Sequence, residues 1–186
     1  MGANGGVAGA LVLAAPWAPG EAALCYWGFV GAFAAAAADT WATEVGRRVG
    51  GRPISLRTGR PVAAGVSGAV SVAGTLAALG GAGGVALGAG PFAHPPILPP
   101  EASALAAVGI ATSAGVAGAF ADSLAGAFVQ ARYRDARTGR RTEAPFAADG
   151  RPNERLRGVP GLTNNGVNLL CTLVGAAGAM GGVAAL

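Results

Sequence analysis

The run AALCYWGFVGAFAAAAADTWATEVGRR, residues 22–48, reads as a membrane span with its stop signal attached. A helix needs about 20 predominantly apolar residues to cross the hydrocarbon core, and the stretch from Ala22 to Val45 supplies them before the chain turns basic at Arg47 and Arg48. Outward from this segment the same layout repeats. All 13 basic residues are arginines, and all fall within Arg47 to Arg60 or Arg132 to Arg157, separated by runs of Ala, Gly, Val and Leu. The composition agrees, with 52% hydrophobic and 12% charged residues where a soluble domain carries about 25% charge. A net charge of +4 would suit nucleic acid, but no aromatic interleaving or binding motif accompanies it, so nucleic acid is not an expected partner.

Further apolar segments run from about Val7 to Trp17, extendable through Ala3 to Gly6, and from Val62 to Gly90, Ala102 to Gln130 and Leu162 to Leu186. The first is broken by Pro16, Pro19 and Gly20, and the third is stopped by Pro91, Pro95, Pro96, Pro99 and Pro100, since proline lacks an amide donor and clashes with the preceding turn. The expected fold is all-α, a polytopic integral membrane bundle of about five transmembrane helices forming one domain over residues 1–186. Its abrupt start at Ala3-Asn4-Gly5-Gly6 suggests missing N-terminal helices. The external connections, Pro16 to Glu21 and Pro91 to Glu101, contain no arginine, so the positive-inside rule places both arginine-rich loops in the cytoplasm and the chain in the cell inner membrane. Small-xxx-small spacings abound, but with 33 glycines they arise by chance and carry little weight.

Polar groups inside apolar spans are expensive and mark functional sites by default. Asp39 lies near the cytoplasmic end of the second span, Asp122 about two turns inside that end of the fourth, and Asn164, Asn165 and Asn168 in the first two turns of the fifth. Residues four apart share a helix face. Gly31, Ala35, Asp39 and Thr43 form one stripe, Gly118, Asp122, Gly126 and Gln130 a second, and Asn164, Asn168 and Thr172 a third. Carboxylates with amide and hydroxyl oxygens suit Mg²⁺, which keeps several waters and is shared with substrate phosphates. The alternative is that the two aspartates pair with loop arginines and only hold the helices in register.

Arg57-Thr58-Gly59-Arg60-Pro61 precedes Gly65-Val66-Ser67-Gly68, where the third helix is expected to open. Glycine amides, a helix N-terminus and arginine forks together suit phosphate, with Arg57, Arg60, Gly65, Ser67 and Gly68 as candidate ligands. The segment lacks the Gly-Lys-Ser/Thr ending of a P-loop, and a basic loop resting on lipid headgroups has the same composition. His94, the one histidine, reads as a solvated loop residue, and Cys25 and Cys171 as buried, reduced thiols.

Four ordered blocks carry a resemblance: Ala38 to Gly46 (ADTWATEVG), Thr58 to Val62 (TGRPV), Asp122 to Ala127 (DSLAGA) and Leu162 to Asn168 (LTNNGVN). They resemble the signatures of an integral-membrane family, formerly a domain of unknown function numbered ninety-two, that includes the chloroplast phytyl-phosphate kinase and the animal transmembrane protein nineteen. Ala3-Asn4-Gly5-Gly6 resembles a further block of that family. The chain departs from the pattern at Gly65-Val66-Ser67-Gly68-Ala69, at Thr163, where aspartate is common, and in lacking cysteine pairs between Arg132 and Pro160, so no zinc site is expected.

The resemblance implies a kinase that converts a prenyl phosphate to the diphosphate with a nucleoside triphosphate such as CTP. Phosphoryl transfer asks the protein for positioning and charge neutralisation. Asp39, Glu44 and Asp122 would hold Mg²⁺, Arg57 and Arg60 would take phosphate oxygens, and Asn164, Asn165 and Asn168 would orient phosphates or the metal's waters. The expected partners are a membrane lipid or isoprenoid phosphate and the nucleotide. Rival readings are a CTP-dependent nucleotidyltransferase on a lipid phosphate, a transporter using the aspartates as an ion path, and a membrane scaffold.

Overall fold

The computed structural model describes residues 2–95, 97, 98, 100 and 102–186. It contains five α-helices: α1 (Gly2–Ala14), α2 (Ala22–Val49), α3 (Val72–Ala89), α4 (Ala104–Phe128) and α5 (Asn164–Val183). Four of them, α2 to α5, are long and apolar enough to cross a membrane. The 13 residues of α1 give a rod of about 20 Å at 1.5 Å per residue, short of the hydrocarbon thickness. Pro16 and Pro19 then turn the chain through two short 3₁₀ turns into α2. α1 instead lies on the bundle, packing Val7, Ala8 and Leu11 near Phe29, Ala32 and Ala176. Of the predicted proline-rich connection, Pro96, Pro99 and Glu101 lie outside the described residues.

α2 is the central helix and touches all four others. Small side chains let it do so. A Cβ on Gly31 would fall on the carbonyl oxygen of Gly175, and one on Gly175 on that of Gly31, so α2 and α5 cross backbone against backbone. Here the small-residue spacing that the sequence reading discounted sits at a real crossing. At Gly118 of α4 an added Cβ would lie 2.7 Å from the Ala35 Cβ and 2.6 Å from the Cys171 carbonyl oxygen, bringing α2, α4 and α5 together at one level. At the far end of the bundle the buried Trp27 donates to the Ile97 carbonyl (3.2 Å) and Tyr26 to that of Ala89 (2.9 Å), tying α2 to the end of α3 and the segment beyond it.

Both arginine-rich loops leave the bundle at the opposite end, and both are folded. The third helix opens at Val72, later than the predicted Val62. Gly65 and Gly68 adopt φ of +84° and +74°, which bends the chain instead of continuing a helix, and Ser71 caps α3 by accepting from the Gly74 amide (3.1 Å). The preceding segment forms a small antiparallel pair, β1 (Ile54–Ser55) with β2 (Ala69–Val70). The second loop is a three-stranded antiparallel sheet, β3 (Arg132–Arg134) flanked by β4 (Arg141–Thr142) and β5 (Glu154–Arg157). Asp135 shapes the β3–β4 turn by accepting from the amides of Arg137 and Thr138 and the Thr138 hydroxyl. The buried Asn153 accepts from Ala136 N and donates to Ala144 O, cross-linking the sheet.

Candidate functional site

The site follows from the level at which the three helices meet. α2 and α4 run in the same direction, with Ala34 beside Gly115 and Ala35 beside Gly118. One turn further, the next residues on those faces are Asp39 and Asp122. α5 runs the other way, so its residue on the rung beyond Cys171 is Asn168. With its amide nitrogen turned to the acceptors, Asn168 donates to Asp122 Oδ1 at 3.0 Å and to the Asn164 carbonyl at 3.3 Å. The three predicted stripes therefore converge at one depth.

Asp39 and Asp122 both line a cavity of about 350 Å³ between α2, α3, α4 and the Ala64 to Ser71 segment. Its inner wall, with Ala78, Val116, Ala119 and Phe120, is apolar. Its outer wall carries Arg47, Arg132, Glu143 and Asn164, with Gly65, Ser67 and Gly68 from the bent segment before α3. The cavity thus grades from an apolar wall, through two carboxylates, to a basic rim.

A polar frame supports the rim. Ser67 donates to Gln130 Oε1 (2.6 Å), Gln130 donates to Glu143 Oε1 (3.0 Å), and Arg132 bridges both (3.1 and 3.0 Å). The other Glu143 oxygen accepts from the Asn164 amide (3.0 Å), capping α5 with a carboxylate where the helix dipole favours one. Arg157 donates to the carbonyls of Gly126 and Ala127, closing the C-terminal end of α4. Its partial burial holds its pKa below the ordinary arginine value, and the nearby charges of Arg57, Arg132 and Arg141 lower it further.

Several sequence-predicted residues stand elsewhere. Glu44 faces solvent and pairs with Arg48 (3.6 Å), so it is not part of the cavity wall. Arg57 and Arg60 sit exposed on the tight turn that Gly59 makes after β1, and neither lines the cavity; nor does Asn165. The glycine-rich segment is a bent wall and not the start of α3. The register alternative for the aspartates finds no support: the ion pairs among the described residues join Arg48 to Glu44, Arg132 to Glu143, Arg134 to Glu154 and Arg151 to Asp149. His94 is an exposed loop residue, and Cys25 and Cys171 are buried free thiols.

Among the described residues no three His, Cys, Asp or Glu side chains come close enough together to form a metal cage. The predicted trio of Asp39, Glu44 and Asp122 is thus reduced to a pair. Two carboxylates with neighbouring hydroxyl and amide oxygens still fit Mg²⁺, which is commonly bound through one or two carboxylates plus substrate phosphates and water.

Arg47, Gln130, Arg132 and Glu143 escaped selection as site residues. Gln130 already lay on the Asp122 stripe, whereas no spacing rule connects Glu143, in a loop, to a helix that starts at Asn164.

A family model described as "Integral membrane protein DUF92" matches residues 1–176. No curated protein and no solved structure matches the chain.

Proposed function

Since the chain belongs to the DUF92 family of integral membrane proteins, we propose that it is a Mg²⁺-dependent phosphotransferase that converts a prenyl phosphate to the diphosphate with a nucleoside triphosphate such as CTP. The observation that supports this reading is the single cavity that joins an apolar wall, Asp39 and Asp122, and a rim bearing Arg47 and Arg132. An amphiphilic phosphate needs that order of surfaces: hydrocarbon against Ala78, Val116 and Phe120, phosphates outward. Asp39 and Asp122 would hold Mg²⁺, which supplies neutralisation of phosphoryl charge. Arg47 makes no ion pair among the described residues and would bind phosphate oxygens. Ser67 and the backbone around Gly65 and Gly68 close the rim. The acceptor is already a phosphate monoester oxygen and needs no dedicated base.

The deciding experiment incubates the solubilised protein with labelled CTP or ATP and a panel of prenyl monophosphates. Prenyl diphosphate and nucleoside diphosphate are the expected products; released pyrophosphate would indicate nucleotidyl transfer, and no turnover would refute the proposal. Arg47→Ala should raise the nucleotide KM about 10- to 100-fold, the worth of a charged hydrogen bond at ~1.5–3 kcal/mol, while Arg60→Ala, on the exposed turn, should change it little. Equal effects at the two positions would remove Arg47 from the phosphate site.

The reading also places both arginine loops in the cytoplasm of a cell inner membrane. Thr58→Cys and Asp149→Cys stand on exposed turns of the two loops, while the native thiols are buried. Neither introduced thiol should react with an impermeant maleimide added outside intact cells, and both should react after lysis. External labelling of either would invert the topology.

A further inference from the structure

Asp122 is held by two amides in series. With its amide turned, Asn168 on α5 donates to Asp122 Oδ1 at 3.0 Å, and the Asn4 Oδ1 position on α1 lies 3.0 Å from the Asn168 carbonyl oxygen, a contact that becomes a hydrogen bond when the Asn4 amide is turned in the same way. Chemistry sets the direction of this chain. In the ionised form that would hold a cation, the Asp122 carboxylate only accepts, so Asn168 turns its NH₂ towards it; the Asn168 oxygen then faces α1 and calls for a donor, which Asn4 supplies by turning its own NH₂ inward. The Thr172 hydroxyl, whose closer acceptors are the carbonyls of Leu169 (3.0 Å) and Asn168 (3.2 Å), lies 3.5 Å from the Ala3 carbonyl oxygen, which sets the first turn of α1 beside the same part of α5. Neither Asn4 nor Asn168 lines the cavity, so they reach Asp122 from outside its wall. α1 is too short to cross the membrane and contributes no residue to that wall, yet its first turn ends the series.

We propose that Asn4 is a positioning residue for Asp122, acting through Asn168 to fix which carboxylate oxygen faces the cavity. Hydrogen-bond partners behind metal ligands typically change metal affinity about 10- to 100-fold when removed. This rests on the phosphotransferase reading for its purpose, but the measurement reads cation binding directly: equilibrium binding of Mn²⁺ alone by the full-length solubilised protein, followed by the resonance of free Mn²⁺. Mg²⁺ activation of turnover is measured in parallel.

Asn4→Leu, similar in size but without a donor, should weaken Mn²⁺ binding about tenfold. Asn4→Asp should weaken it at least as much at mildly alkaline pH, because a carboxylate facing the Asn168 oxygen pulls that amide round and turns its oxygen on Asp122. A role in packing alone predicts the reverse order, since aspartate keeps the shape of asparagine. In an Asn168→Ala background both Asn4 substitutions should lose their effect, the coupling expected of residues in series. Should Asn4→Leu fail to fold, Asn4→Asp and the Asn168→Ala cycle carry the test. Parent-like Mn²⁺ binding by Asn4→Asp, an undiminished Asn4 effect in Asn168→Ala, or no Mn²⁺ binding by the parent would each overturn the relay. Mn²⁺ binding that responds to Asn4 as expected, in a protein that turns over no prenyl phosphate, would support the relay and refute the phosphotransferase reading.

Discussion

Replacing Asp122 by asparagine is expected to lower prenyl-phosphate-dependent nucleotide turnover by at least about 10³-fold, or ~4 kcal/mol of transition-state stabilisation. The substitution keeps the shape of the side chain and an oxygen that can still accept from Asn168, so the helix level around Gly118 and Cys171 should survive. What it removes is one of the three carboxylates lining the cavity, and one of the two that come from the membrane-spanning helices. Steady-state turnover and the thermal melting midpoint, measured on the same preparation, separate the two effects. A variant that melts like the parent and turns over within tenfold of it would show that the metal, if used, is held elsewhere.

A second large effect is expected in the packing. Gly175→Val places a branched side chain where the α2 backbone already touches α5, because even a Cβ at that position would fall on the Gly31 carbonyl and lie 2.6 Å from the Ala35 Cβ. Overpacking of this kind costs about 3 kcal/mol or more, since backbone cannot rotate out of the way as a side chain can. The buried thiols of Cys25 and Cys171 provide the readout: a thiol-reactive fluorophore reports their exposure as the bundle opens. Dye reaction in Gly175→Val should begin at much lower temperature than in the parent. Gly109→Val, where an added Cβ meets nothing within 4 Å, should behave like the parent. Matching melting curves for all three would mean that the crossing can part without loss.

The transmembrane class and the level of the aspartates were legible in the sequence because both rest on strong physical penalties. Lipid excludes charge, so arginines segregate into loops and the two membrane-embedded carboxylates stand out. Helical periodicity then carried Asp39, Asp122 and Asn168 to one face each, and the bundle brings those faces together. Hydropathy measures apolar length, and four of the five expected helices, α2 to α5, are long and apolar enough to cross a membrane, in keeping with a bundle of about five. The limits were equally physical. Arg57 and Arg60 looked like anion ligands by composition, but the turn between Ser55 and Arg60, closed through Gly59, leaves them exposed, and no local pattern encodes that direction. Glu143 and Arg132 meet through a sheet register, a long-range pairing that spacing along a helix does not disclose. Asn4 stood in a recognisable block, yet its contact with Asn168 spans almost the whole chain.

The placement of Asp39 on the central helix also bears on how the protein is made. α2 precedes α4 and α5 in the chain, so during synthesis its carboxylate enters the bilayer before Asp122, Asn168 or the cavity exists. At the centre of a lone helix an aspartate opposes insertion by about 2.5–3.5 kcal/mol. Asp39 lies ten residues before the end of α2 at Val49, about 15 Å along the axis, and the helix ends on Arg47 and Arg48, which anchor it at the lipid headgroups. An early α2 can therefore ride towards the surface on that side and keep its carboxylate hydrated. Its descent to final depth then becomes part of assembly, completed when the small faces of α4 and α5 close around it.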